Sequence, residues 1–495
     1  MDDHLQGIIN SIHILPFYPS SSDSGFSVVN YSAVDPHMGS WREIEAISSN
    51  YRLMVDGVIN HISQFSDWFK AFLTGDSYFK EFFIEMDPLT DLSKVVRPRA
   101  TPLLSEFIDN EGKIHNVWTT FSKDQVDLNY QNHRVLRNVL DALFYYIEKG
   151  ATLIRLDAIA FIWKEVGTGC VHLPQTHELI QLMREVLHEV APEVIIITET
   201  NVPHHENVSY FGSGSDEAQM VYNFALPPLL LHSILHGDTT TLTSWAQTLT
   251  LPSNKVCFFN FTASHDGIGL RPIKGILNDE EVDYLVTTVQ DHGGLVSFRT
   301  EEDGSQSPYE LNCSYIDALS HPDEEEFIRL KRMLLAQATV LVMPGVPGIY
   351  FHSLVGSRNY HDGVKHTGIN RSINREKYNV DWLENELSTQ GTLAKSMFDS
   401  YKRLISIRTN EKAFNPFGSF KFIDLDKRLF IVEQSCCENR EHVLALHNFS
   451  DETVTIALCP EFALPMADLL SSYEVSESRE ITLEPFQILW LKGPL

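Results

Sequence analysis

Positive charge is scarce in this sequence, which has 38 Lys and Arg against 66 Asp and Glu and a formal net charge of −28 at pH 7. Because binding to nucleic acid requires a basic face, this balance argues against a nucleic-acid partner. Long apolar runs are also lacking: no segment approaches the roughly 18 apolar residues of a membrane span, so no membrane partner is expected. The first residues lack the basic and apolar segments of a secretory signal, which predicts a cytoplasmic location.

Paired cysteines and glycine-rich phosphate loops are lacking as well. The six cysteines, at positions 170, 257, 313, 436, 437 and 459, include no C-x-x-C pair and have no His at zinc-finger spacing, so we expect reduced structural thiols. Neither G-x-G-x-x-G nor a Walker lysine loop is present, which argues against a nucleotide-binding sheet. No spacing resembles a zinc site or an EF-hand loop. We expect no metal and no cofactor.

Short β-rich apolar runs alternate with longer amphipathic stretches along most of the chain. Helix-like patterns lie at 133–149 and 176–190. This βαβ rhythm predicts a parallel sheet with helices outside, and the lack of a glycine-rich turn favours an α/β TIM (β/α)8 barrel over an open doubly wound sheet. The seven runs are 11–16, 53–61, 153–157, 194–199, 220–224, 256–261 and 348–352.

Seven runs are one short of a closed barrel, and the first run begins about ten residues into the chain with no helix before it. We therefore expect the first strand and helix of the barrel to be missing, which would leave strand edges exposed. The catalytic barrel is predicted over 1–61 and 128–410. The mixed segment 62–127 is too long for a βα loop and is predicted to be an inserted B domain. Short alternating strands over 411–495 predict an antiparallel β-sandwich.

Polar residues follow four of the predicted strands. Because barrel active sites lie at the carboxyl ends of the strands, these side chains are expected to meet at one mouth. A single Asp or Glu at a strand end is more often a helix cap, and a single His is as often a core residue. If these residues were only caps or core residues, four strands would each need a separate explanation for a polar end. The joint pattern therefore favours a functional site. Its members are Asp56, Asn60, His61, Arg155, Asp157, Glu199, His265 and Asp266.

Two of these carboxyls suit glycosyl transfer, which requires a nucleophile and a proton donor on either side of a glycosidic bond. Arg155 stands two residues before Asp157 and shares its face of the strand, so its charge is expected to keep that carboxylate ionised. Glu199 ends an Ile-rich strand and is expected to be desolvated and more readily protonated.

The strand-end residues resemble a known family. Asp56-x-x-x-Asn60-His61, Arg155-x-Asp157, Glu199 and His265-Asp266 are similar to the four signature regions of the α-amylase superfamily, in the same order. Further stretches resemble its sucrose phosphorylase-like branch, and 349–359 is most similar to glucosylglycerate and sucrose 6-phosphate phosphorylases. Those stretches are HILPF at 13–17, DSGF at 23–26, RPR at 97–99, FALPPLLLH at 224–232 and RSINR at 371–375.

The resemblance implies a role for each matched position. Asp157 would be the nucleophile, Glu199 the general acid/base and Asp266 the residue that grips the sugar hydroxyls in the transition state. Asp23 and Arg371 would close the far side of the pocket as a pair. The other residues expected to contact the glucosyl unit are Phe26, His61, Phe121, Arg155 and His265. The side chains expected to meet phosphate or an anionic acceptor are Arg99, Arg358, Lys365 and His366.

The resemblance therefore implies a retaining phosphorylase that converts a small α-glucoside and phosphate into α-glucose 1-phosphate. Sucrose, sucrose 6-phosphate and glucosylglycerol remain alternative substrates beside glucosylglycerate. An amylase-like exo-glucosidase is a second alternative, against which the 224–232 and 371–375 stretches argue. A non-catalytic barrel scaffold is a third, although such chains typically lose the nucleophile or the acid. No feature of the sequence indicates the oligomeric state.

Overall fold

Seven parallel strands form the central sheet of the protein, for which we analysed a computed structural model. The structure describes residues 2–99, 101–300, 306–436, 441–476 and 478–494. The strands neighbour one another in chain order, as an α/β barrel requires. Within the described residues the first and last strands form the two edges of this curled sheet. In chain order the strands are Ser11–His13, Arg52–Gly57, Ala151–Leu156, Ile195–Thr198, Met220–Tyr222, Cys257–Asn260 and Val346–Pro347.

The predicted βα alternation and its seven strands are confirmed, with one correction. The last strand is Val346–Pro347 rather than 348–352, because the chain turns into a helix at Phe351–Leu354. Gly348 still donates its amide to the carbonyl oxygen of Asn260 at 2.7 Å, so the chain leaves the sheet directly after this residue. The two edge strands are half-buried.

Sequence signals explain where the helices lie. The side chain of Asn132 accepts from the amide of Arg134 and caps the helix His133–Glu148, whose buried residues Val135, Val139 and Leu143 recur at helical spacing. The α-helices in chain order are Asp2–Leu5, Trp41–Ser48, Asp67–Leu73, His133–Glu148, Pro174–Val190, His204–Asn207, Leu226–His236, Thr240–Ala246, Asp279–Asp291, Tyr315–Ala318, Glu326–Val342, Phe351–Leu354, His361–Thr367, Val380–Ser388 and Leu393–Asn410. None of those described is long and apolar enough to cross a membrane.

The segment 62–127 leaves the barrel after the second strand. It contains the helix Asp67–Leu73 and a hairpin of Leu104–Ile108 with Ile114–Trp118. Its two ends are joined by the antiparallel pair of His61–Ile62 with Val126–Asp127. Both ends of the segment are therefore fixed beside the carboxyl end of the second barrel strand.

A second excursion follows the sixth barrel strand. It holds a three-stranded antiparallel sheet of Ile268–Gly269, Leu295–Thr300 and Gln306–Asn312, with Gln306–Asn312 in the middle. Gly269 pairs with Glu310 in this sheet, so the middle strand runs directly beside the residues that follow the sixth barrel strand.

The C-terminal residues form two antiparallel sheets, as predicted. Leucine, isoleucine and valine side chains from both sheets share one apolar cluster, which makes the arrangement a sandwich. The opposite face of the larger sheet packs on the barrel core, where Trp490 donates from Nε1 to His447 Nε2 at 3.0 Å. The larger sheet contains Ser419–Ile423, Leu429–Cys436, Glu441–Asn448, Ile488–Pro494, Met466–Asp468 and Glu474–Val475, and the smaller pairs Val454–Ala457 with Glu480–Leu483.

Candidate active site

A cavity of about 710 Å³, open to solvent, lies at the carboxyl ends of the barrel strands. Ten of the residues predicted from the sequence line it: Asp23, Phe26, His61, Arg99, Phe121, Asp157, Glu199, His265, Asp266 and Arg371. The structure thus brings together side chains that follow five barrel strands, side chains of the inserted segment and one from the loop after the last strand.

Arg155 lies beneath the cavity floor and joins its carboxylates. The side chain is 3% exposed, and Nη1 contacts both Asp56 and Asp157, the latter at 2.8 Å. Nη2 is 3.9 Å from Glu199 Oε2. Asp56 also accepts from His13 Nε2 at 2.7 Å, so this buried carboxylate holds the guanidinium in place. Arg155 was expected to touch the sugar, but in this arrangement it supports the residues that line the cavity.

Glu199 has the environment of a group that exchanges a proton near neutral pH. Burial raises its pKa to about 7, against the opposing charge of Arg155 and with the help of the negative charges of Asp157 and Asp266. Oε2 accepts a hydrogen bond from the amide of Ala158 at 3.1 Å. Ala158 has a left-handed backbone (φ 50°), and this conformation accompanies the contact. The sequence prediction of a desolvated, readily protonated Glu199 agrees with this pKa.

The pKa of Asp157 departs from the expectation in direction. Burial raises it above its ordinary value, and this effect is larger than the lowering by Arg155 and His61. The predicted ion pair with Arg155 is present, but it offsets the loss of solvation only in part. The reason is that Asp157 lies at the bottom of the same cavity that desolvates Glu199.

Asp266 has the opposite shift. Burial by itself would raise the pKa of Asp266, but the positive charges of Arg371 and Arg375 outweigh it and hold the pKa well below its usual range. Arg371 Nη1 lies 2.6 Å from Asp266 Oδ1, and Arg375 Nη2 lies 3.6 Å from the same oxygen. Burial lowers the pKa of His265 to about 3, so its imidazole is neutral. Asp266 is therefore the most firmly ionised of the carboxylates that line the cavity.

The expected pair of Asp23 with Arg371 is not formed as a direct contact. Asp23 Oδ2 lies 3.0 Å from Arg99 Nη2, while Arg371 contacts Asp266 and Glu310. Glu310 comes from the middle strand of the second excursion and approaches Arg371 more closely than Asp23 does. Both predicted partners nevertheless line the cavity.

A buried network holds His61 in one tautomer. Nε2 donates to the carbonyl oxygen of Phe26 at 2.9 Å, so Nδ1 accepts from Asn60 Nδ2 at 3.2 Å. Lys164 Nζ donates to Asn60 Oδ1 at 2.8 Å and lies 2.7 Å from Asp127 Oδ2. Lys164 thereby fixes which way the Asn60 amide faces.

The two predicted aromatic residues pack against the histidines of the cavity. Phe26 stacks on His265, with ring centroids 4.8 Å apart and planes at 5°. Phe121 lies 5.4 Å from His61, and the Arg99 guanidinium lies 5.6 Å from the Phe121 ring. Together they form apolar walls of the kind that pack on a sugar ring.

Three predicted acceptor residues lie away from the cavity lining. Arg358 Nε bonds the buried carboxylate of Asp317. Lys365 lies on the exposed helix His361–Thr367, where its Nζ is 3.0 Å from Asp362 Oδ1. His366 Nδ1 donates to the carbonyl oxygen of Asp362 at 2.6 Å. Arg358, Lys365 and His366 do not line this cavity, so a direct contact with the acceptor stays a prediction without geometric support.

Several lining residues were not predicted from the sequence. Gln125 Nε2 donates to Asp23 Oδ2 at 3.2 Å, and Tyr309 and Arg271 reach the cavity from the second excursion. Arg375, which contacts Asp266 but does not line the cavity, stands in the RSINR stretch at 371–375. No sequence pattern indicated the antiparallel sheet that carries Tyr309. No group of three or more His, Cys, Asp and Glu is arranged to hold a metal ion among the residues that the structure describes.

Comparison with known proteins gives consistent matches. The family described as "Alpha amylase, catalytic domain" matches residues 3–264. A glucosylglycerate phosphorylase of Spirochaeta thermophila is 45% identical over 99% of this chain and 85% of its own length. A glucosylglycerate phosphorylase of Escherichia coli is 44% identical over 99% of this chain and 86% of its own length.

A solved structure supports the fold. The crystal structure of sucrose 6F-phosphate phosphorylase from Thermoanaerobacter thermosaccharolyticum has a TM-score of 0.80 and 24% sequence identity, covering 98% of this chain and 93% of that chain. At this identity the likeness concerns the architecture alone.

Proposed function

Because the chain belongs to the α-amylase family, we propose that it is a retaining phosphorylase that transfers a glucosyl unit from glucosylglycerate to phosphate, giving α-glucose 1-phosphate. The names of its 44–45% identical relatives support this substrate. The observation that carries the reaction type is the difference between two neighbouring carboxyls. Glu199 has a pKa of about 7, while Asp157 is in ion-pair contact with Arg155 at 2.8 Å.

In the first step, the Asp157 carboxylate attacks the anomeric carbon of the glucosyl unit and the bond to the glycerate oxygen breaks. Glu199 gives its proton to that oxygen. Since Oε2 of Glu199 accepts from the Ala158 amide, we assign the transferred proton to Oε1. The products of this step are glycerate and a β-glucosyl ester of Asp157.

In the second step, a phosphate oxygen bonds to the anomeric carbon and the ester bond to Asp157 breaks. The incoming phosphate monoanion or dianion gives up its proton to the Glu199 carboxylate, which restores the acid. Two inversions at one carbon give net retention. Because phosphate brings its own proton and is more acidic than water, this step depends less on Glu199 as a base than hydrolysis would.

The remaining lining residues position the glucosyl unit. We assign the grip on the sugar hydroxyls to Asp266, whose low pKa keeps it an acceptor throughout. His61 and His265, with Phe26 and Phe121 as walls, would hold the same sugar, and Asp23 would close its far side. Arg155 would act on the sugar only through the carboxylates that it orients.

A protein with a net charge of −28 repels phosphate at long range, so local cations must attract it. We propose Arg99 for this contact, because it lines the cavity on the inserted segment. Its ion pair with Asp23 would have to loosen when phosphate arrives. We do not extend this role to Arg358, Lys365 or His366, which do not line the cavity.

The division into a barrel at 1–61 and 128–410, an insert at 62–127 and a sandwich at 411–495 is likewise a proposal. The paired ends of the insert support it. We also propose a cytoplasmic location, which the unpaired state of the five described cysteines supports. Cys437, expected to be a reduced thiol, lies outside the described residues.

Dependence on phosphate tests the function. With glucosylglycerate and phosphate, we expect equimolar α-glucose 1-phosphate and glycerate, and little free glucose. Release of glucose at the same rate without phosphate would identify a hydrolase instead. In the reverse direction, α-glucose 1-phosphate is offered with glycerate, glycerol, fructose or fructose 6-phosphate, and phosphate release ranks the acceptors. A preference for an acceptor other than glycerate would overturn the assigned substrate but not the reaction type.

A further inference from the structure

A buried carboxylate next to the cavity is not among its lining residues. Glu310 lies on the strand Gln306–Asn312 and is 3% exposed. An acidic side chain that is buried this deeply requires partners. One partner of Glu310 also contacts the Asp266 side chain, and the other is the backbone that follows Asp266.

One partner is Arg371, whose guanidinium contacts two carboxylates, those of Glu310 and Asp266. Nε lies 3.1 Å from Glu310 Oε1 and 3.2 Å from Oε2, and Nη2 lies 3.0 Å from Oε2. This leaves Nη1 for Asp266, at 2.6 Å from Oδ1. Asp266 Oδ2 lies 3.5 Å from Nε2 of the neutral His265 imidazole.

The other partner is the backbone directly after Asp266. The amide of Gly267 donates to Glu310 Oε1. The approach is so close that a Cβ on Gly267 would lie 2.6 Å from Cγ of Glu310. The carboxylate thus fixes the chain on one side of Asp266 and the arginine on the other.

We propose that Glu310 is a positioning residue, which binds Arg371 in a bidentate pair so that Asp266 receives one guanidinium nitrogen and keeps Oδ2 for the sugar. This inference rests on the proposed function for the role of Asp266 as the residue that grips the sugar. A guanidinium pairs best with a carboxylate through two nitrogens. Without the Glu310 carboxylate, the Arg371 guanidinium is therefore free to rotate and form such a bidentate pair with Asp266. Asp266 would then offer the sugar a weaker and displaced acceptor.

The variant Glu310→Gln separates the two contacts. An amide oxygen still accepts from the Gly267 amide, whereas an amide nitrogen cannot accept from Arg371. We expect kcat to fall about 10- to 100-fold, the effect of losing a hydrogen-bonded charge partner, with KM for the donor changed less than about threefold. Thermal unfolding of each variant establishes that it is folded at the assay temperature. If Glu310→Gln is not, Glu310→Asp replaces it, because its shorter carboxylate keeps the charge but cannot make the same bidentate pair.

A double-mutant cycle with Arg371→Gln gives the decisive readout. If Glu310 acts through Arg371, its replacement costs less than about threefold once Arg371 is absent. If the two losses multiply instead, Glu310 serves only the packing of the loop and the proposal is overturned. Glu217→Gln is the matched control, since Glu217 is also buried and hydrogen-bonded, to His177 and Gln181, outside the cavity. It should leave kcat unchanged.

The cycle is measured in parallel with α-glucosyl fluoride, whose departing fluoride reports formation of the glucosyl ester regardless of acceptor. If the wild type releases fluoride but yields no α-glucose 1-phosphate, the proposed phosphorylase function fails while the Glu310 cycle remains readable. If fluoride release is unaffected by Glu310→Gln in the folded protein, the positioning role itself is refuted.

Discussion

Arg155 Nη1 lies 2.8 Å from Asp157 Oδ1. The second nitrogen of the same guanidinium is 3.9 Å from Glu199, too far for a hydrogen bond. One buried arginine thus favours the charged form of one carboxyl more strongly than that of its neighbour, in a cavity whose burial favours the neutral form of both. This inequality supports the proposal that Asp157 is the nucleophile and Glu199 the acid.

The pH dependence of the reaction follows from Glu199. Its pKa of about 7 means that the protonated acid is lost as pH rises through that value. We therefore expect kcat/KM for phosphorolysis of glucosylglycerate to be highest below about pH 7 and to fall about tenfold per unit well above it. Initial rates of α-glucose 1-phosphate formation from pH 5 to pH 9 measure this.

α-Glucosyl fluoride provides the control for that profile. Fluoride leaves without needing a proton from Glu199, so the fall above about pH 7 should be absent when fluoride release is measured in the wild type. The same alkaline fall with both donors would mean that another group titrates, and it would contradict the assignment.

The stability of the protein should also depend on the protonation of Glu199. Between its ordinary pKa of 4.5 and the folded value of about 7, Glu199 holds a proton in the folded state that the unfolded state has lost. Its contribution to stability is therefore lost as pH rises through this window. Glu199→Gln removes the titration and should be more stable than the wild type by up to about 3 kcal/mol at pH 8, with little difference at pH 4.5. Melting temperatures of both proteins at the two pH values test this. A gain that is equal at both would point to packing rather than to charge.

The covalent intermediate offers a test of Asp157. We expect Asp157→Asn to lower kcat by about 1,000-fold or more, because the amide cannot form the glucosyl ester. In Glu199→Gln treated with α-glucosyl fluoride, water lacks a general base, so the ester should accumulate and be seen by intact-protein mass spectrometry. Peptide mapping should locate it on Asp157, and the double variant Asp157→Asn, Glu199→Gln should show no adduct. An adduct on another carboxyl would reassign the nucleophile.

The sequence predicts the strands and helices of the barrel well, because the hydrophobic period and the composition of each element can be recognised within a short segment. The Ile-rich run before Glu199 and the Arg155-x-Asp157 pair are legible without knowing what packs on them. The last strand was misplaced because an apolar run with aromatics is compatible with either a strand or a helix.

The partners within the site were harder to predict, since they come from distant segments. Arg371 was expected to meet Asp23, but Glu310 competes for it from a sheet that no periodic signal revealed. The sign of the Asp157 shift also depends on how deeply the cavity buries it, which the presence of Arg155 two residues away cannot tell. Residue types at strand ends therefore indicate the chemistry, whereas ion pairing and burial require the tertiary structure.

We expect the buried side chain of Lys164 to be essential for the stability of the protein beneath the cavity. Its ammonium is buried with the Asp127 carboxylate at 2.7 Å, so Lys164→Met leaves an unpaired buried charge and should destabilise the protein by about 3–5 kcal/mol. Adding Asp127→Asn should recover part of this loss. Lys421→Met removes an exposed ion pair with Glu461 and should cost about 0.5 kcal/mol or less. Urea denaturation of the wild type and the three variants measures the differences. If Lys164→Met and Lys421→Met lowered the free energy of unfolding equally little, the buried pair of Lys164 and Asp127 would not stabilise the protein as its geometry indicates.

Gly25 links backbone conformation to the cavity, since it stands two residues after Asp23. Its φ is +113°, and a Cβ there would overlap the carbonyl oxygen of Pro16. Gly25→Ala should therefore displace the turn that carries Asp23, and we expect a rise of about tenfold in KM for the donor, the loss of roughly one charged hydrogen bond. Gly391→Ala is the matched control, because Gly391 also has a positive φ (+86°) but nothing within 4 Å of its Cβ.

Both substitutions place alanine in a sparsely populated positive-φ region that costs about 1–3 kcal/mol, so both should lower the melting temperature. Only Gly25→Ala meets the additional overlap, so only it should alter KM. This separates two effects that a single glycine variant would mix, the strain of the backbone and the shift of a side chain that lines the cavity. Equal KM values for the two variants, at similar stability, would mean that the turn absorbs the overlap without moving Asp23. In that case Asp23 does not depend on the turn at Gly25 for its position.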